Sequence, residues 1–281
     1  MGLLCGALDE ARAMSDPSGR ERALIHLRLL VGAELLEAEV NVPIDPIRPV
    51  DLLPILMSLD DAFLGVIENE VNGQGKVISC KKGCGACCRQ LVPIGDVEAY
   101  YLAEIVSEMP DTRRSRVESR FCEALDQLDR RGMLERLRRA DELTTREERR
   151  QLGLDYFACG VPCPFLEDEA CSIHRDRPLV CREYLVTSPP EYCAQPLPQQ
   201  ISRVSLPVML SKVLSQFGDG VGGRPARWLP LALALEWVAN RGEEVSARVP
   251  GPEMFENFLR LVAKWNERAR SAQPLDQGPQ Q

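Results

Sequence analysis

Eleven cysteines in 281 residues constrain this chain more than any other feature, because of where they stand. Four fall within nine residues, as Cys80-x3-Cys84-x2-Cys87-Cys88, and a second group runs Cys163-x7-Cys171-x9-Cys181, with Cys193 following after eleven more residues. Short C-x2-C and C-x3-C spacings let a single loop present two thiolates to one metal ion, and Gly83 and Gly85 give that loop its turns. Cys87 and Cys88 are adjacent, and in extended backbone neighbouring side chains point to opposite sides. Either they serve different ions or one of them is not a ligand. Eight thiols allow two four-sulfur zinc sites, one iron–sulfur cluster with thiols left over, or a polynuclear site with bridging sulfur.

Compartment decides between metal and disulfide. Residues 1–10 show neither a cationic start nor a long apolar run, and no segment approaches the roughly 18 apolar residues of a membrane span. The expectation is therefore a cytoplasmic protein, where a reducing thiol pool disfavours disulfides. Its preference for Arg over Lys reads as a bacterial, GC-rich source. Lys81, Lys82, Arg89, Arg175, Arg177 and Arg182 lie within a few residues of the clustered cysteines, and cations so placed lower thiol pKa and offset an anionic site. Cys5 and Cys122 stand apart and read as small buried hydrophobes on helices. Cys159 is a reserve ligand.

The rest of the chain argues for an ordinary soluble scaffold. Hydrophobic residues at 44% and charged ones at 27% suit a packed core, and a net charge of −8 argues against nucleic acid as a partner. Leu24, Leu27, Leu30, Val31 and Leu35 recur at spacings of three and four, predicting a helix over 21–40. Further helices are predicted over 52–71, over 97–109 with Asp96 as cap, within the charge-dense stretch 111–150, and over 201–217, 226–240 and 253–268. No alternating run of useful length argues for strands. The predicted fold is mainly α, a helical scaffold around an irregular, loop-rich cysteine core. Its predicted organisation is an N-terminal helical region (1–75), a cysteine cluster domain (76–198) with a helical insertion at 96–150, and a C-terminal helical region (199–281). Gly218–Gly223 fits G-x-G-x-x-G but runs into Arg224-Pro225 with no strand before it, and reads as a loop.

The cysteine strings, with Cys163-Pro164-Phe165-Leu166 and Arg177-Pro178-Leu179-Val180-Cys181-Arg182, resemble the CxxCxxCC, or YkgJ-type, cysteine cluster family of zinc- or iron-chelating domains. That resemblance covers roughly residues 80–193. It implies Cys80, Cys84, Cys87, Cys88, Cys163, Cys171, Cys181 and Cys193 as metal ligands, with zinc or iron, or an iron–sulfur cluster, as the bound group. His174 stands where relatives often carry Tyr, and the 74 residues between Cys88 and Cys163 exceed the linker of compact members. Flagellin lysine N-methylases resemble distant members of the same family. Three functional readings follow, in order: a metal-ion-binding module, an iron- or iron–sulfur-dependent enzyme modifying a protein or peptide, and a redox or metal sensor. In each, the metal ion is one partner and the flanking helices offer a surface for a protein or peptide; no membrane is expected.

Overall fold

The computed structural model describes residues 6–15, 21–31, 34–195, 200–217, 227–241 and 248–271, with backbone alone for 6–15 and 266–271. Cys5, the Gly218–Gly223 stretch and the tail from Pro274 lie outside the described residues.

The N-terminal segment forms strands. β1 (Gly6–Ser15), β2 (Glu21–Val31) and β3 (Glu34–Pro43) make an antiparallel sheet with β2 in the centre. This corrects the helix predicted over 21–40. Burial alternates with a period of two through Ala23, Ile25, Leu27, Leu29 and Val31, while Leu24 and Leu30 sit half-buried on the other face. Across the register, His26 faces Glu39 and Arg28 faces Glu37, pairing at 3.3 and 3.1 Å. The helical spacing of the leucines was real but incidental in a segment with a leucine or β-branched residue at nearly every second place. Strand pairing won because β3 carries the matching alternation, Leu36, Ala38, Val40 and Val42.

Helices supply most of the remaining order, and the fold is mainly α. After the two-residue strand β4 (Pro46–Ile47), α1 (Pro49–Gly73) lays Leu52, Leu53, Leu56, Leu59, Phe63 and Ile67 against the sheet. Pro54 sits inside it, and the helix stops at the predicted Asn72-Gly73. β5 (Pro93–Ile94) leads into α2 (Asp96–Ser107). There Gly95, one residue before the predicted cap, donates its N–H to Glu98 Oε2 at 2.8 Å. The charged stretch divides into α3 (Asp111–Arg130), α4 (Leu134–Arg138) and α5 (Arg146–Ala158), broken first where Gly132 takes φ +67°. The hairpin β6 (Leu166–Glu167) and β7 (Ala170–Cys171) follows, then α6 (Leu179–Glu183).

Beyond residue 199, the predicted helix over 201–217 shrinks to α7 (Leu210–Leu214). Residues 202–204 instead run antiparallel to 185–187, with Thr187 N–H on the Ser202 carbonyl and Val204 N–H on the Leu185 carbonyl, both at 2.9 Å. β8 (Leu229–Pro230) pairs with β5 and leads into α8 (Ala234–Arg241), and β9 (Val249–Pro250) pairs with β4 ahead of α9 (Gly251–Ser271).

Two apolar cores result. One joins the inner face of β2 and β3 to α1, α7 and α9. The other joins α2 to α5 with Phe165, Ile173 and Leu229–Ala234. Each fully buried Leu or Ile in them stabilises the fold by about 1.5–3 kcal/mol relative to exposure. The cysteine segments lie at the seam: Cys159, Cys163 and Cys171 lean on the second core, while Leu179 of α6 belongs to the first. The N-terminal region expected to be helical is thus part sheet and part helix, because the sheet gives α1 and α9 the apolar surface they cover.

Candidate metal centre

The first cysteine arm is a series of tight turns. Cys84 N–H donates to the Lys81 carbonyl, Cys88 N–H to Gly85 and Gln90 N–H to Cys87, at 3.0–3.1 Å. Gly83 supplies the left-handed residue of this path at φ +91°. The arm is held at its start by Ser79 N–H on the Val186 carbonyl and by the Cys80 thiol, which donates to the Tyr184 carbonyl at 3.6 Å.

The second arm leaves α5, places Cys163, and turns back through the β6–β7 hairpin. Asp168 and Glu169 both adopt positive φ at its tip, the conformation a two-residue hairpin turn demands. Cys171 ends the hairpin, Cys181 lies in the middle of α6, and Cys193 is buried in a 3-10 turn over Pro190–Ala194.

Three contacts lock the arms together. Cys163 N–H donates to the Cys88 carbonyl at 2.7 Å. Arg89 makes a fork onto both carboxylate oxygens of Glu169, at 2.6 and 2.9 Å. Gly85 lies so near the hairpin tip that a Cβ there would stand 2.5 Å from the Glu169 carbonyl oxygen. A fourth tie reaches Cys193, whose carbonyl accepts from Gln90 Nε2 at 2.9 Å. Gln90, Glu169 and Gly85 as packing partners were not anticipated from sequence, since nothing in one sequence links residues so far apart.

The thiols interact electrostatically as two sets that share Cys87. Cys193 feels Cys87, Cys80 and Cys84; Cys181 feels Cys163, Cys87 and Cys171. Cys88 hydrogen-bonds the Cys87 thiol and interacts with Arg89. The thiol pKa values correct the expectation that the local cations lower them. Burial pushes Cys163 up to about 12 and Cys193 up to about 11, with the neighbouring thiols adding to both, and holds Cys181 well above the ordinary thiol value. Cys87 is raised first by its bond to Cys88 and then by burial, and Cys80 and Cys171 are raised by burial. Arg177 opposes the rise at Cys80, Cys87 and Cys171 without reversing it. Desolvation wins over one guanidinium.

Among the described residues, no three Cys, His, Asp or Glu side chains stand close enough, as placed, to hold one ion. Ligation therefore requires the side chains to move closer together than they stand. The donor chemistry fits the group: sulfur from two adjoining arms, half-buried and at Cys193 fully buried, suits zinc or iron.

The remaining cysteines lie elsewhere. Cys159 caps α5, with its thiol on the Asp155 carbonyl at 3.3 Å and Arg131 and Arg136 nearby. Cys122 is exposed on α3, correcting the buried reading: α3 turns Val117, Phe121, Ala124 and Leu128 inward and leaves Cys122 beside that stripe, outside it. His174 Nε2 lies 3.1 Å from Arg177 Nη1, and burial together with Arg177 lowers its pKa, favouring neutral imidazole. Arg182 is buried and spends its fork on the Arg177 and Arg175 carbonyls and on Asp61, which fixes the turn leading into α6.

Comparison with curated proteins found no match, and comparison with solved structures found none. A family model does match: residues 79–197, less than half of the chain but all eight clustered cysteines, fit the CxxCxxCC family, described as "Putative zinc- or iron-chelating domain". Residues 79–197 of this chain are therefore similar to the CxxCxxCC family.

Proposed function

We propose that this protein binds zinc or iron through Cys80, Cys84, Cys87, Cys88, Cys163, Cys171, Cys181 and Cys193, as two ions per chain. The observation that carries this reading is the backbone bond from Cys163 to Cys88, which fixes the two cysteine arms against each other whatever the side chains do. Two thiol sets that interact electrostatically support two ions, Cys80, Cys84 and Cys193 in one and Cys163, Cys171 and Cys181 in the other, with Cys87 felt by both. A tetrahedral ion takes four sulfurs, so each set lacks one ligand. Cys87 completes one shell and Cys88, whose thiol neighbours that of Cys87, completes the second; a bridging Cys87 serves the same end. Ligation adds stability to the arms, because short turns and a two-residue-strand hairpin have little of their own.

The test is metal analysis of anaerobically purified full-length protein with its visible spectrum. Two equivalents of metal per chain bear the reading out, colourless for zinc and coloured for iron or iron–sulfur. Protein carrying no bound zinc or iron overturns it.

A further inference from the structure

Beside the cysteine arms lies a cavity of about 420 Å³, bounded by α1, α2 and the 174–182 segment. Its lining combines an apolar wall, Pro54 and Met57, with Tyr101, His174, Arg175 and Arg177. The volume falls within the range of small-molecule sites, and a few polar groups on an apolar wall are their usual composition.

The charges around it are unevenly committed. Asp61 is taken by Arg182, and Asp176 accepts from the Tyr101 hydroxyl at 3.1 Å. Arg182 has spent its own donors on Asp61 and two carbonyls. Arg177, by contrast, has its one side-chain hydrogen bond with the His174 ring; it feels the buried Asp60 carboxyl and the nearby thiols at longer range, and its Nε is buried with no acceptor among the described residues. Arg175 is exposed, with no carboxylate partner among the described residues. A guanidinium carries five donors, and leaving buried ones unmet is costly. The lining holds three guanidiniums, Arg175, Arg177 and Arg182, against two carboxylates, Asp61 and Asp176, and burial holds the nearby Asp60 carboxyl protonated, up to about 9; with donors of Arg175 and Arg177 in reserve, the cavity is matched to an anion rather than a cation.

We propose that this cavity binds a small organic oxyanion, a carboxylate or a phosphate monoester, whose charged oxygens are received by Arg177 and Arg175 and whose apolar part rests on Pro54 and Met57. This goes beyond metal binding and does not depend on it. The site shares its loop with Cys171 and Cys181, so its ligand sits next to the metal centre.

Calorimetric titration of the full-length protein tests the proposal, with hexanoate and butyl phosphate as probes and hexanamide as the neutral control. At least one anion is expected to bind, and hexanamide at least about tenfold more weakly, the scale of a lost charge-assisted hydrogen bond. Arg177→Gln should lower the anion's affinity by about tenfold or more. Ser58→Trp, on an exposed lining position, should abolish binding by filling the cavity while the circular dichroism spectrum is kept. Preference for hexanoate or for butyl phosphate identifies the oxyanion. Amide binding as tight as either anion, absence of binding by both anions at millimolar concentration, or unchanged affinity in folded Ser58→Trp overturns the proposal.

Discussion

The amide of Cys163 donates to the carbonyl of Cys88 at 2.7 Å. A backbone bond between two cysteines of different arms means that the chain path, rather than the sulfurs, brings the arms into register. The Arg89–Glu169 fork strengthens this contact only modestly, since Glu169 is largely exposed and such pairs contribute at most about 1 kcal/mol. Close backbone packing at Gly85 therefore matters more.

Gly85→Ala tests that packing. Its new Cβ would meet the Glu169 carbonyl at 2.5 Å and Leu166 Cδ1 at 2.7 Å, and the carbonyl belongs to a turn that has little room to yield. Overpacking of this kind costs about 1–3 kcal/mol. Denaturant unfolding should show the loss, and zinc affinity should fall with it because the arms no longer meet in register.

Single cysteine substitutions separate ligands from bystanders. Cys84→Ser and Cys171→Ser, one in each arm, should lower both metal content and soluble yield. Cys122→Ser should change neither, since that thiol is exposed on α3. Metal-to-protein ratios of the three purified variants decide the matter.

The raised thiol pKa values make metal uptake pH-dependent. At neutral pH Cys163 and Cys193, with values near 12 and 11, are protonated, so each thiolate that joins an ion must first release its proton. Zinc affinity should rise steeply with pH, and calorimetry in buffers of different ionisation enthalpy should count several protons released per chain. Protein stripped by a chelator should behave in the opposite sense. Its folded thiols titrate above the unfolded value, so their contribution to stability is full below about pH 8.5 and is lost as pH climbs through 11 and 12. Thermal melts of the stripped and loaded forms across that range should diverge.

Glu98 joins the start of α2 to the start of α6, with Oε2 on Gly95 N–H and Oε1 on Leu179 N–H, both at 2.8 Å. Glu98→Ala leaves two buried donors unmet and should cost about 2–4 kcal/mol. Burial pushes this carboxyl up to about 7, against which its two backbone bonds act. Because the folded value is above the unfolded one, the side chain's contribution is full below about pH 4.3 and diminishes as pH rises through 7. The variant's deficit in thermal melts should be larger at about pH 5 than at about pH 8.

What was legible in the sequence follows from how local each signal is. The cysteine arms could be read because their spacing is local, and α1 could be read because Leu56, Leu59, Phe63 and Ile67 keep a helical period with Asn72-Gly73 to end it. β2 was misread because leucine at positions 24, 27 and 30 fits a helix as well as alternate burial fits a strand; only its pairing with β3 decides. Residues 202–204 likewise owe their extended form to partners at 185–187. The thiol acidities were misjudged because sequence shows the neighbouring cations but not the burial that outweighs them. Arg177 stood next to the cysteines in sequence, yet its buried, unpartnered Nε becomes visible only when His174 and the cavity are in place.

X-ray absorption at the metal edge of the loaded full-length protein tests the central claim most directly. The account predicts a shell dominated by sulfur, at about 2.3 Å for zinc, that loses intensity in Cys171→Ser and in Cys84→Ser alike. A shell of nitrogen and oxygen, or a sulfur shell unchanged when either arm loses its cysteine, would contradict it.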